Sequence, residues 1–245
     1  MHLHHTLSGS GPLTVVLTHG LAAGEATWAA QVPALEEYHR VLTWDLRGHG
    51  RSGAAPFPCT LADLAADLRS VLDRAGVERA VVLGHSAGGA IAMEFALDYP
   101  ARTAGLVLVG TASECNARAR QFYEDLAAIA EERDMEPVRK RLGVSPAQAR
   151  QMPTDAATFA HVARAMASLH AAPLTPRLSE IACPAQMIVG GRDFLGAGGS
   201  VILHRNIGGS RLAIVPERSH GLFLEDPAGF NALVLEFLGT ISAQL

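Results

Sequence analysis

Three side chains, far apart in the chain, could together make an alcohol reactive. They are Ser86 in Gly84-His85-Ser86-Ala87-Gly88, Asp193 in Gly190-Gly191-Arg192-Asp193, and His220 in Arg218-Ser219-His220-Gly221. A serine hydroxyl is a poor nucleophile until a base takes its proton. An imidazole is suited to that task, and a carboxylate can fix its tautomer and stabilise its positive form. A carbonyl attacked in this way also needs donors for its developing negative charge. The main-chain N–H groups of Leu21, in His19-Gly20-Leu21-Ala22, and of Ala87 are the expected donors.

Other residues compete for these roles. Glu114 follows an apolar run and rivals Asp193 as the acid. Glu225 and Asp226 lie close behind His220 and suit the start of the last helix, where acidic side chains favour the dipole. His85 is expected to fill space beside the serine, His49 to be a loop residue, and Asp45 to hydrogen-bond within its own loop. Trp28 suits the core better than substrate contact. His2, His4 and His5 are read as a polar strand end, because no further ligand stands at a metal-binding spacing. The basic residues Arg118, Arg120, Arg133, Arg139, Lys140, Arg141 and Arg164 suit a solvated face, with binding of a substrate carboxylate as the alternative.

These groups converge only if the intervening chain brings them to one edge. Leu13–Thr18, Val41–Trp44, Ala80–Leu83, Gly105–Val109, Ala185–Val189 and Arg211–Val215 are short runs rich in apolar and β-branched residues. Such runs predict strands buried on both faces. Helical patterns lie between them, at Thr27–Tyr38, Leu61–Ala75, Gly88–Asp98, Gly199–Asn206 and Pro227–Ile241. Strand and helix alternate, so a mostly parallel α/β sheet flanked by helices is expected. Residues 113–175 interrupt the alternation with helix-forming sequence, including Arg118–Arg133 and Asp155–Ala171. We expect a helical lid there, inserted in a core made of residues 1–112 and 176–245, over the strands' carboxyl ends where such sheets bind ligands.

Ser86 falls between a strand and a helix, where a sharp turn presents a side chain at the sheet edge. The turn crowds the backbone, which Gly84 and Gly88 can tolerate. In a chain of 24 glycines the pentapeptide alone is modest evidence. Its agreement with the acid, the histidine and the donor loop is what gives it weight.

At 245 residues the chain can bury a large single core, and its 49% hydrophobic and 18% charged residues are those of a globular protein. A net charge of −4 gives no reason to expect nucleic acid or an anionic membrane as partner. Cys59, Cys115 and Cys183 suggest neither a disulfide framework nor a zinc site. No run approaches a membrane span and the N-terminus has no apolar signal core, so a cytoplasmic protein is expected. The expected partner is a small acyl compound, with no cofactor and no metal; a homo-oligomer is left open.

The stretches "THGLAAG", "WDLRGHGRS", "LGHSAGG", "VGGRDFLG" and "ERSHGLFLEDP" resemble the α/β-hydrolase fold family over nearly the whole chain. The short-lidded members it is similar to include carboxylic ester hydrolases and enol-lactonases, C–C bond hydrolases and cofactor-free haloperoxidases. The resemblance implies a Ser86–His220–Asp193 triad and an acyl-enzyme route. Related C–C hydrolases carry a tryptophan after the histidine, whereas this chain has Gly221-Leu222-Phe223. A non-catalytic receptor on the same fold is the alternative from another class. One departure is visible: the family's usual first strand is missing or very short.

Overall fold

The computed structural model describes residues 1–144, 149–150 and 152–243. A seven-stranded sheet forms its centre, in the order β1-β3-β2-β4-β5-β6-β7. The strands are β1 (His5–Ser8), β2 (Thr14–Thr18), β3 (Arg40–Trp44), β4 (Ala80–His85), β5 (Thr103–Val109), β6 (Ala185–Gly190) and β7 (Arg211–Val215). Every neighbouring pair is parallel except β1 with β3. The six strands expected from sequence are present, and β1 is an addition. Its four residues, HTLS, carry no apolar alternation because it is a half-exposed edge strand.

Period-two alternation divides the buried strands between two faces. Val16, Leu42, Val82, Leu106 and Met187 pack with α2 (Leu61–Arg74) and α3 (Ala87–Asp98). Val15, Leu17, Val41, Leu83, Val107 and Ile188 pack with α1 (Val32–Glu36) and the last helix. Helix α2 begins where Thr60 and Asp63 cap one another: Asp63 N donates to Thr60 Oγ1 at 3.1 Å, and Thr60 N to Asp63 Oδ2 at 2.8 Å. The single helix expected over Thr27–Tyr38 is instead a 3-10 turn, Glu25–Trp28, followed by α1. Pro33 lies in the first turn of α1, where its missing N–H costs nothing.

Between β5 and β6 lie α4 (Ala117–Arg133), α5 (Met135–Leu142) and α6 (Ala156–Ala167). Of the segment 113–175, residues 145–148 and 151 lie outside those described. The helix expected over Asp155–Ala171 closes earlier, passing into a 3-10 turn at Ser168–His170. Leu126, Ala130, Met135, Val138, Phe159 and Ala163 form a small core of their own, which also takes in Ala22 from the loop after β2. Beyond β6 come α7 (Gly198–Asn206), α8 (Leu222–Glu225) and α9 (Pro227–Ser242), the last capped by Asp226. Among the described residues no helix is long and apolar enough to cross a membrane.

Phe159 is fully buried at the centre of the helical insertion. Phe159→Ala is expected to destabilise the protein by about 3–5 kcal/mol, through lost transfer energy and an unfilled cavity. Urea unfolding measures this, and a loss below about 1 kcal/mol would mean that the small core carries little stability.

Candidate active site

Parallel strands place their carboxyl ends on one edge, and the loops after β2, β4, β6 and β7 all open there. Ser86 links β4 to α3 with φ 55° and ψ −119°, a left-handed conformation rare for a residue bearing a β-carbon. The strain is held by tight backbone packing. A β-carbon on Gly84 would lie 2.2 Å from the Gly88 carbonyl oxygen, and one on Gly88 would lie 2.3 Å from the Thr18 carbonyl oxygen. Two bonds fasten the turn to the next strand: Ser86 N donates to Val109 O at 2.9 Å, and Thr111 Oγ1 donates to Ser86 O at 2.7 Å.

His220 Nδ1 lies 2.8 Å from Asp193 Oδ2, and the Asp193 side chain is wholly buried. A carboxylate can only accept, so Nδ1 carries the proton and Nε2 is left with a free lone pair. Asp193 is held in turn by Leu195 N, which donates to its other oxygen at 2.9 Å. Gly110, at φ 52°, closes behind the pair; a β-carbon there would reach within 2.9 Å of Asp193 Oδ2. Glu114 stands apart, exposed, its carboxylate accepting from Thr175 Oγ1 at 2.5 Å. Among the described residues no hydrogen bond joins the Ser86 hydroxyl to His220, although both border one cavity of ≈ 380 Å³.

His85 does more than fill space. Its Nε2 lies 3.0 Å from the carbonyl oxygen of His220, and the rings of the two residues are 4.6 Å apart. Desolvation, then the nearby His220 ring, push the His85 pKa well below its ordinary value. A neutral His85 can therefore donate Nε2–H to the His220 main chain. Phe194 covers His220 edge-on with ring centres 4.7 Å apart.

The loop after β2 is hung between two buried histidines. His19 Nδ1 donates to Gly20 O at 2.8 Å while its Nε2 accepts from Leu46 N at 3.0 Å. His49 Nδ1 donates to Arg47 O at 2.9 Å while its Nε2 accepts from Ala22 N at 3.3 Å. Both tautomers are fixed by these partners. Ala22 itself is left-handed, at φ 54°. Gly20 packs so closely that a β-carbon on it would lie 3.2 Å from Ser86 Cβ. Among the described residues the N–H groups of Leu21 and Ala87 have no acceptor within the protein.

A family model described as alpha/beta hydrolase fold matches residues 14–185. The chain belongs to the α/β hydrolase fold family. A Shigella flexneri protein called RutD, provisionally named a carbamate hydrolase, is 31% identical over 93% of this chain and 91% of its own. A hydrolase from Pseudomonas aeruginosa PA01 is 32% identical, with a TM-score of 0.87 over 97% of this chain and 94% of its own. An enol-lactonase from Burkholderia xenovorans LB400 is 27% identical, with a TM-score of 0.86 over 97% and 96%.

Several further residues of this α/β hydrolase hold the surroundings of the site in place. Glu225 Oε2 accepts from Ser219 N at 3.1 Å and so braces the loop that carries His220, while Asp226 caps α9. Asp45 accepts from Glu25 N at 2.7 Å and Arg51 N at 2.9 Å, within and beyond its own loop. Trp28 is fully buried against Phe223, their rings 4.8 Å apart. Of the basic residues in the insertion, Arg141 pairs with Asp125 and Arg164 with Glu131.

Burial pushes His19 down to about 4, and burial together with the neighbouring His19 pushes His49 down to about 3, from an ordinary 6.5. Below pH 6.5 the unfolded chain takes up protons that these folded histidines refuse, until the pH approaches 4 and then 3. Stability is therefore complete above the unfolded value and falls as the pH drops through that window. The urea midpoint is expected to fall between pH 7 and about 4.5, and His49→Gln is expected to make the fall shallower. An equally steep fall in the variant would remove His49 from the account.

Proposed function

We propose that this α/β hydrolase is a cofactor-independent serine hydrolase that cleaves a small carboxylic ester or lactone through an acyl-enzyme. The observation that carries the proposal is the His220–Asp193 bond of 2.8 Å, made by a buried carboxylate beside the cavity that Ser86 borders. It supplies a base with the correct nitrogen free.

As the substrate carbonyl arrives, the Ser86 hydroxyl turns toward His220 Nε2, a contact that commonly tightens only in the substrate complex. Ser86 Oγ bonds to the carbonyl carbon and its proton passes to Nε2. The carbonyl oxygen becomes an oxyanion and accepts from Leu21 N–H and Ala87 N–H. On collapse the carbon–oxygen bond to the leaving group breaks, and that oxygen takes the proton from His220. Water then attacks the acyl-enzyme, gives its proton to Nε2, and the acid departs as Ser86 recovers a proton. Asp193 stabilises the imidazolium in both halves without taking its proton. The helical insertion serves as a lid: Phe122, Tyr123, Leu142 and Met152 border the cavity.

A carbamate is the second reading, favoured by the likeness to RutD over 93% of the chain. Its carbonyl would be attacked by the same steps, leaving a carbamoyl-enzyme.

A fluorophosphonate is expected to label Ser86, and p-nitrophenyl acetate to be turned over. Ser86→Ala is expected to lose both. Asp193→Asn, which keeps the shape but favours the wrong imidazole tautomer, is expected to lower kcat by about 10⁴-fold. Wild-type protein that neither reacts with the phosphonate nor hydrolyses any ester, lactone or carbamate offered would leave a binding protein on a hydrolase fold.

A further inference from the structure

Two cavities meet at Ser86. One, of ≈ 380 Å³, is the cavity bordered by His220. The other, of ≈ 310 Å³, lies on the side of Ala87 and Thr111 and reaches Glu114 and α4 at Ala119. Ser86, Tyr123 and Leu195 border both. We propose that the substrate spans them, with an uncharged leaving group in the cavity bordered by His220 and an uncharged acyl group in the cavity beside Glu114. The assignment rests on the serine-hydrolase reading and extends it to substrate class.

The direction follows from proton transfer. The leaving oxygen must receive its proton from His220, and His220 borders only the first cavity. With the carbonyl oxygen turned to Leu21 N–H and Ala87 N–H, the remaining substituent on the carbonyl carbon points away from the imidazole. The second cavity opens there. The first is rimmed by Leu21, Phe122, Met152, Phe194 and Phe223, a lining suited to an apolar or aromatic alcohol.

Charge narrows the class further. Among the described residues no lysine or arginine borders either cavity. Ser145, Pro146, Ala147, Gln148 and Gln151, which lie outside the description, carry no ionisable side chain. Arg141 and Arg164 are already paired with Asp125 and Glu131. The ionisable group at the second cavity, apart from the Cys115 thiol and Tyr123 phenol, is the Glu114 carboxylate, which repels an acyl group bearing its own carboxylate. The carboxylate-bearing substrate considered from the sequence is therefore disfavoured.

Two ester series test the assignment: p-nitrophenyl acetate to hexanoate, which lengthens the acyl group, and ethyl to naphthylmethyl acetate, which enlarges the alcohol. Ala119→Trp is expected to lower the hexanoate-to-acetate ratio of kcat/KM at least about tenfold, leaving the alcohol ratio within about twofold. Leu224→Trp, on the rim of the first cavity, is expected to do the reverse. Should Ala119→Trp fail to fold by circular dichroism, Ala119→Val reads the same ratio at smaller amplitude. Wild type is expected to prefer p-nitrophenyl butyrate over the hemisuccinate by at least about tenfold, and Glu114→Gln to narrow that gap. Ratios that move together or in the opposite sense, or equal rates on butyrate and hemisuccinate, would overturn the assignment while turnover and labelling of Ser86 left the serine-hydrolase reading standing. Loss of turnover and labelling in wild type would remove both.

Discussion

The backbone around Ser86 is packed to contact on both sides. Gly88 lies against the carbonyl of Thr18 at the end of β2, and Gly84 lies against Gly88 itself. No side chain fits at either position. The constraint does two things at once: it forces Ser86 into a left-handed conformation at the sheet edge, and it brings the start of α3 up against the loop that follows β2. The free N–H of Ala87 and the Gly20–Ala22 loop become neighbours for the same reason that the half-buried serine stands at the turn. Strain of this kind costs about 1–3 kcal/mol and survives only where the surroundings over-determine it. The burial of α3 from Ala87 through Leu97 and the bond from Thr111 to the Ser86 carbonyl supply that determination.

A second layer of the structure holds the loops around Ser86 in place through neutral histidines. His19 and His49 each donate from Nδ1 and accept at Nε2, and together they fix the loop that carries Leu21. His85 holds the main chain of His220. A charged imidazole could not accept at Nε2, so burial of His19 and His49 serves position as well as packing. The His49 loop also touches the helical insertion: Gly50 N donates to Pro153 O at 2.7 Å and Asp155 N to Gly48 O at 2.7 Å. The helical insertion and the His49 loop are therefore parts of one hydrogen-bonded unit.

Much of this was legible in the chain because it is local. Six strands announced themselves as continuous apolar runs, and the loops after them carried the serine, the acid, the histidine and the glycine-bearing donor loop. What was not legible depends on partners distant in sequence. Strand β1 has no apolar pattern and exists because β3 offers it an edge. The helix after the donor loop is broken by Pro33 and by Gln31, whose side chain reaches across to Phe223 O at 2.9 Å. His49 and His85 read as loop and filler residues and Glu225 as part of the start of the last helix, since nothing near them in the chain reveals that they hold Ala22, His220 and Ser219. Gly110 gave a faint sign as a glycine directly after a strand, but its reason is the His220–Asp193 pair packed against it.

The convergence of Ser86, the two N–H groups and His220 is tested most directly by a crystal structure of the protein after reaction with a small fluorophosphonate. The account requires a bond from phosphorus to Ser86 Oγ and a phosphoryl oxygen within about 2.7–3.1 Å of both Leu21 N and Ala87 N. His220 Nε2 should face the adduct, with Nδ1 still on Asp193. A phosphoryl oxygen directed to solvent, or an adduct on another residue, would contradict it.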